Sequence, residues 1–152
     1  EIQLPIVRHF FPRAKVLFLR APASEKAILL GERLHEISQR MGVKAGVIGS
    51  TDLTHYGPAY GFSPAGSGKE AVNWVREQND KPLLEHLLAL RLKEAVHHGV
   101  SRGSACSVGA AAAAGAFAGK HGVKTGTLVG YSLSCEKISS ESFVGYGAII
   151  YA

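Results

Sequence analysis

The sequence has 152 residues, 46% of them hydrophobic, and a net charge of +5 from 17 basic and 12 acidic side chains. That is enough apolar material for one domain with a core, and the basic residues are scattered rather than gathered into a run or an aromatic-interleaved patch, which argues against a nucleic-acid interface. The longest apolar stretch, 108–118, is mostly alanine and glycine and too short to span a bilayer, and the two cysteines form neither a CxxC pair nor a disulfide framework; a cytoplasmic protein with no membrane or nucleic-acid partner is expected.

In chain order, residues 1–13 allow a short helix, with Pro5 limiting its start and Pro12 ending it. Residues 14–19, Ala-Lys-Val-Leu-Phe-Leu, read as a buried strand. From 24 to 41, Ala27, Leu30, Leu34, Ile37 and Met41 recur at three- and four-residue steps and predict an amphipathic helix capped by Gly42. A second buried strand at 43–48 completes a strand, helix, strand unit, for which a parallel pair with a right-handed crossover is expected.

A glycine- and proline-rich loop at 57–68 follows and has the composition of a lid. Two motif fragments at its end are discounted: Gly66-Ser-Gly-Lys69 lacks the first P-loop glycine and the magnesium-binding hydroxyl, and the Gly66-x-Gly68-x-x-Ala71 fragment follows a loop instead of a strand. Residues 69–78 and 81–98 predict helices separated at Asn79-Asp80; His86, His97 and His98 on the second read as solvated, since no metal-binding histidine spacing is present. Cys106 is expected to open a helix that runs to Lys120, and Cys135 sits in the polar turn of a closing hairpin formed by 125–134 and 142–151.

The chemistry concentrates where the apolar run 43–48 stops. Asp52 and His55 lie just past it, at the edge where open α/β sheets place ligands. A carboxylate three residues from an imidazole can orient it for proton transfer near neutral pH, although an Asx-turn would use the same residues. A thiol at a helix N-terminus, as expected for Cys106, favours the thiolate that binds metal or attacks carbon; a small buried residue is the alternative. Cys106 with His55 would also make a nucleophile and base, whereas a Ser50-His55-Asp52 triad is too crowded on one short turn.

The octapeptide Ser50-Thr-Asp-Leu-Thr-His-Tyr-Gly57 resembles the Ser-Ser-Asp-Phe-Ser-His-Tyr-Gly signature of the Memo family, known in prokaryotes as AmmeMemoRadiSam system protein B. Glu1-Ile-Gln-Leu-Pro5, Ala105-Cys106, and Tyr131-Ser-Leu-Ser134 with Val144-Gly-Tyr-Gly-Ala148 resemble further family segments in the family order. The family is similar in fold to class III extradiol ring-cleaving dioxygenases. The resemblance implies an α/β three-layer sandwich with a central mixed sheet, the parallel strand, helix, strand unit being joined by a C-terminal antiparallel pair. It implies His55 as acid/base supported by Asp52, Cys106 as a metal ligand, and Ser50 and Tyr56 in the pocket. Iron or copper is the expected metal, with zinc also admitted by a thiolate.

Two departures stand out. Ser107 replaces the glycine that usually follows the cysteine, and the two histidines that bind metal in the family lie upstream of Glu1-Ile-Gln-Leu-Pro5, where this sequence has nothing; His9 fills neither role. The expectation is therefore one Memo-like domain, 1–152, lacking its N-terminal half and carrying an incomplete metal site. Its function is metal-dependent oxygen or redox chemistry, with a peptide- or small-ligand-binding module and a cysteine-dependent hydrolase as alternatives.

Overall fold

The structure is a computed structural model that describes residues 3–152; Glu1 and Ile2, and with them part of the first family segment, lie outside the described residues. Six helices and three strands follow one another: α1 (Gln3–Phe10), α2 (Lys26–Arg40), β1 (His55–Tyr56), α3 (Gly68–Trp74), α4 (Lys81–Leu88), α5 (Leu92–Arg102), α6 (Val108–Lys120), β2 (Thr127–Leu133) and β3 (Phe143–Ile150). Their arrangement is mixed helix and strand, with α2 packed along α6, α4 and α5 packed on each other and on α6, and Tyr131 and Ile149 of the small sheet packed against the cluster that holds Leu83, Leu84 and Leu87 of α4.

The sheet has the order β1-β3-β2 and is antiparallel throughout. The predicted closing hairpin forms, with Thr127 opposite Ile150 and Leu133 opposite Gly145, and an irregularity between Leu128 and Gly130. The sequence reading missed β1. His55 pairs with Val144 and Tyr56 with Phe143, and the pairing continues one step back, where the Leu53 amide donates to the Gly145 carbonyl at 2.9 Å. His55 therefore sits in a strand, not in a loop beyond one. The reason is nonlocal: β3 offers its free edge to whichever segment reaches it, and 53–56 does.

The expected parallel pair does not form among the described residues. Residues 14–19 and 43–48 run without regular secondary structure, and Leu17 and Ile48 are 74% and 62% exposed. The helix between them does form, but its buried positions are Ala27, Gly31 and Ser38, while Ile37 and Met41 remain exposed. An apolar run earns burial only when a neighbour pairs with it, and no described segment does so here. Among the described residues the sheet is antiparallel, and the parallel strands of the expected mixed sheet are not formed.

Close backbone approach fixes how α2 lies on α6. A Cβ placed on Gly31 would come within 2.1 Å of the Ala113 carbonyl oxygen, so only glycine lets the two helices meet there. The 69–98 region also departs from the reading. Val75–Asp80 winds as a π-helical turn that joins α3 to α4 without a loop, and the real break comes at Leu90, whose φ of 53° turns the chain so that α5 packs back on α4. Nothing in Leu-Ala-Leu-Arg announces that turn, because a left-handed residue there would ordinarily be glycine.

Two apolar clusters form the core. One joins Leu53 to Leu83, Leu84, Leu87 and Val108; the other surrounds Tyr56 with Ala71, Val75, Leu133 and Phe143. Residues 52–56 cross both. Leu53, Thr54 and Tyr56 are buried, and Asp52 and His55 are left half-exposed between them. Core packing thus fixes the backbone that presents the two polar side chains.

Candidate metal centre

Asp52, His55 and Cys106 converge. One ligand atom from each, a carboxylate oxygen, an imidazole nitrogen and the thiol sulfur, lie within 4.8 Å of one another. Two ligands bound to one first-row metal at ordinary bond lengths stand roughly 3–4 Å apart, so a modest closure of this group would bring all three to bonding distance. The donor set of nitrogen, oxygen and sulfur suits copper, zinc or iron better than magnesium or calcium. The residues present fit a transition metal.

Several hydrogen bonds tie the two halves of the group together. The Asp52 amide donates to Cys106 Sγ at 3.3 Å, and the Cys106 amide donates to the Asp52 carbonyl at 3.2 Å. Thr51 reinforces the join: its Oγ1 accepts from the Ser107 amide at 2.9 Å, donates to the Asp52 carbonyl at 2.8 Å and lies 3.6 Å from Cys106 Sγ. Cys106 stands in the turn two residues before α6 rather than in its first turn, and it is exposed. The small-buried-residue alternative for Cys106 is thereby overturned. Ser107, which replaces the family glycine, flanks α6 and uses its amide to hold Thr51.

His55 Nε2 lies 3.2 Å from Asp52 Oδ2, a carboxylate-imidazole pair with both side chains about 35–44% exposed. The Tyr60 ring lies against the imidazole at 4.8 Å between centroids. That contact comes from the 57–68 loop, which is tied back by Gly57 and Phe62 exchanging backbone hydrogen bonds. Of the other residues singled out by sequence, Ser50 is exposed and accepts from the Gln3 side chain at 2.8 Å. Tyr56 points the other way: it is buried, stacks on Phe143, and its hydroxyl donates to the Gly66 carbonyl and accepts from the Ala65 amide.

The sequence reading passed over the group that holds this segment from behind. Asp80, treated as a helix boundary, is fully buried at the end of the π-helical turn. Its Oδ1 accepts from both the amide and the hydroxyl of Thr54, and its Oδ2 accepts from the Tyr131 hydroxyl at 2.8 Å. Burial pushes the Asp80 carboxyl above the usual carboxylate range, opposed by the hydrogen bonds from Thr54 and Tyr131 and by the His98 charge. The Tyr131 hydroxyl is pushed well above its usual range by burial and by the neighbouring carboxylate. Asn79 donates to Thr54 Oγ1 from the same turn. Thr54 sits between Asp52 and His55 in sequence, so this buried network sets the backbone that carries both. An Asn-Asp pair inside an otherwise helical run was the available signal.

The three helix histidines stand apart from the group. His97 is exposed, whereas His86 and His98 are half-buried and face each other at 6.1 Å between ring centroids. His98 Nε2 lies 2.9 Å from the Asn79 carbonyl, and burial together with Arg91 and His98 pushes the His86 pKa down. They line a shallow depression with Glu25 and Lys93, away from Asp52, His55 and Cys106. No helix of the described residues is long and apolar enough to cross a membrane.

Comparison with known proteins bears on the whole chain. The sequence is 27% identical over 164 residues to a MEMO1 family protein of Pyrococcus abyssi, an alignment covering 99% of this chain and 54% of that protein. It is 28% identical to a MEMO1 family protein of Pyrococcus horikoshii and 24% identical to one of Thermococcus onnurineus, covering 54% and 55% of them. The chain thus spans about half the length of these relatives. The family described as Memo-like protein matches residues 1–150. With Asp52 and His55 of the octapeptide and Cys106 folded into one group, and the family model matching residues 1–150, this chain belongs to the Memo-like protein family.

Proposed function

We propose that the chain carries one wall of a metal-dependent site for oxygen or redox chemistry, related to the class III non-haem-iron extradiol dioxygenases. The observation that carries this reading is the convergence of the Cys106 sulfur, a His55 nitrogen and an Asp52 oxygen within 4.8 Å on a partly exposed surface. Cys106 would hold iron or copper as thiolate, and the bound metal would supply the redox chemistry. His55, oriented by Asp52, moves a proton to or from a small-molecule substrate at its imidazole nitrogen. Asp52 fixes the orientation of the ring through its 3.2 Å contact with Nε2. In its complete form the domain is a cytoplasmic three-layer sandwich with a central mixed sheet, and further ligands come from outside residues 1–152.

A cysteine-dependent hydrolase requires His55 to accept the Cys106 proton. Among the described residues the contacts of Cys106 Sγ are with Thr51 Oγ1 and the Asp52 amide, and the His55 hydrogen bond is with Asp52, so the nucleophile–base hydrogen bond such an enzyme uses is not formed. Metal titration decides between the readings. On adding Cu(II) to the purified chain we expect a thiolate-to-copper absorption band that disappears in Cys106→Ala, with affinity falling at least tenfold. Copper binding unchanged by that substitution would overturn the assignment, and a metal-indifferent protein whose Cys106 is rapidly alkylated would favour the hydrolase. Ligand binding indifferent to both metal and Cys106→Ala would favour a non-catalytic binding module.

A further inference from the structure

We propose that His86 and His98, which the candidate centre does not use, form a second site, for a divalent transition-metal ion, with Glu94 as the third ligand. Both imidazoles are half-buried, and their ring centroids lie 6.1 Å apart. An imidazole nitrogen binds such an ion at about 2.0–2.1 Å and the ring centre lies roughly 1.2 Å behind it, so two rings sharing one ion stand about 5–6.5 Å apart between centres. The observed spacing falls in that range.

The fold, not a local motif, makes the pair. His86 is in the last turn of α4 and His98 lies midway along α5. They meet because the chain reverses at Leu90, where φ is 53°, and the Arg91 amide closes the turn by donating to the His86 carbonyl at 2.9 Å. A bulky residue in the left-handed region is an outlier, and such outliers cluster at ligand clamps and active sites.

The outer hydrogen bonds orient both rings. His98 Nε2 lies 2.9 Å from the Asn79 carbonyl, which can only accept, so Nε2 carries the proton and Nδ1 keeps a lone pair. A ring N–H held by a backbone carbonyl is the usual arrangement behind a metal-bound imidazole. His86 Nδ1 accepts from Arg91 Nε at 3.2 Å. An ion at Nδ1 would take that lone pair, and an ion at Nε2 would move the ring proton to Nδ1, against the guanidinium. Either way the exposed Arg91 has to leave, so it competes with the metal. The other close pair, His35 and His121, 5.6 Å apart, has no hydrogen bond to a ring nitrogen among the described residues to orient it.

Glu94 stands four residues before His98, on the same face of α5, and lines one depression with both histidines. It makes no ion pair among the described residues, while the neighbouring Lys93 is taken up by Glu25 at 3.3 Å. The three ligands are not drawn together as tightly as Asp52, His55 and Cys106 are, so the exposed Glu94 side chain swings in on binding. Two imidazoles and a carboxylate suit zinc, copper or nickel better than magnesium or calcium.

The test adds Zn(II) to the full 152-residue chain and follows the imidazole rings by long-range proton–nitrogen NMR. The His86 and His98 signals should move together and saturate while those of His9 stay in place, and the same shifts should appear in Cys106→Ala, which separates this site from the candidate centre. His86→Ala removes one ligand and should weaken the His98 shift by about tenfold or more in zinc concentration, with metal-free melting unchanged because the ring's side-chain hydrogen bond is to an exposed arginine. Glu94→Gln alters only an exposed side chain and should also weaken binding. Arg91→Met keeps the length of the side chain without the guanidinium and should tighten binding by about threefold to tenfold. Rings unmoved at millimolar zinc, a His98 shift that persists at wild-type affinity in His86→Ala or in Glu94→Gln, shifts abolished in Cys106→Ala, or an affinity unchanged by Arg91→Met would each overturn the site.

Discussion

Asp52 and Cys106, 54 residues apart in sequence, hold each other by paired hydrogen bonds, amide to thiol sulfur in one direction and amide to carbonyl in the other. The two putting-together steps that make the candidate centre, β1 onto β3 and the turn before α6 onto residue 52, are thereby locked to one another. The centre is a product of that junction, not of a local motif.

Thr51 is the brace of the junction. Thr51→Val would leave the Ser107 amide without its acceptor and remove the hydroxyl beside Cys106 Sγ. We expect a loss of about 1–2 kcal/mol in urea unfolding and a roughly tenfold drop in copper affinity. Thr51→Ser keeps the hydroxyl and should restore both. Equal losses in the two variants would show that the methyl group, not the hydrogen bonds, matters.

Asp80 gives a pH signature. Its folded carboxyl is raised above the ordinary 3.8 by burial, so the native state binds a proton more tightly than the unfolded chain does. Its contribution to stability is full below about pH 4 and declines as pH rises through the raised value. Asp80→Asn can still accept from Thr54 and donate to Tyr131, so it should fold and lose that decline. Asp80→Ala orphans three buried donors and should cost about 3 kcal/mol or more. Denaturation of the three proteins between pH 4 and 8 is the measurement, and parallel pH curves for wild type and Asp80→Asn would contradict the expectation.

Gly31→Ala sets two effects against each other. Helix propensity gains about 1 kcal/mol, but the added Cβ meets the Ala113 carbonyl at 2.1 Å and the Ala116 side chain at 2.9 Å. Backbone cannot yield as a flexible side chain can, so the clash wins. Overpacking of this kind costs about 1–3 kcal/mol, and after the propensity gain is allowed for the variant should still melt below wild type. A thermal melt equal to or above wild type would show that α2 slides freely on α6.

Metal affinity of the chain by itself should be low. Cys106 is the residue assigned to the metal, and His55 Nε2 faces Asp52 Oδ2 at 3.2 Å rather than an open ligand position. Isothermal titration with zinc should give binding far weaker than the roughly 10 kcal/mol or more of structural zinc sites with four protein ligands. Tight one-to-one binding would mean that the three residues close on the ion without help.

The sequence by itself determined the chemical inventory and the local elements. Asp52, His55 and Cys106 were legible because polar residues follow an apolar run and a cysteine precedes an alanine-rich helix, and α2 and the closing hairpin were legible from periodicity, which depends only on neighbours in the chain. What the tertiary structure decided was every pairing between distant segments. It made His55 part of a strand through β3, buried Asp80 behind Thr54, turned Tyr56 into the core and brought Tyr60 to the imidazole in its place. Among the described residues it also left 14–19 and 43–48 unpaired, although their composition is that of central strands. The physical reason is the same throughout: a helix satisfies its own backbone, whereas a strand or a buried carboxylate is defined by the partner that reaches it, and that partner is not written in the segment itself.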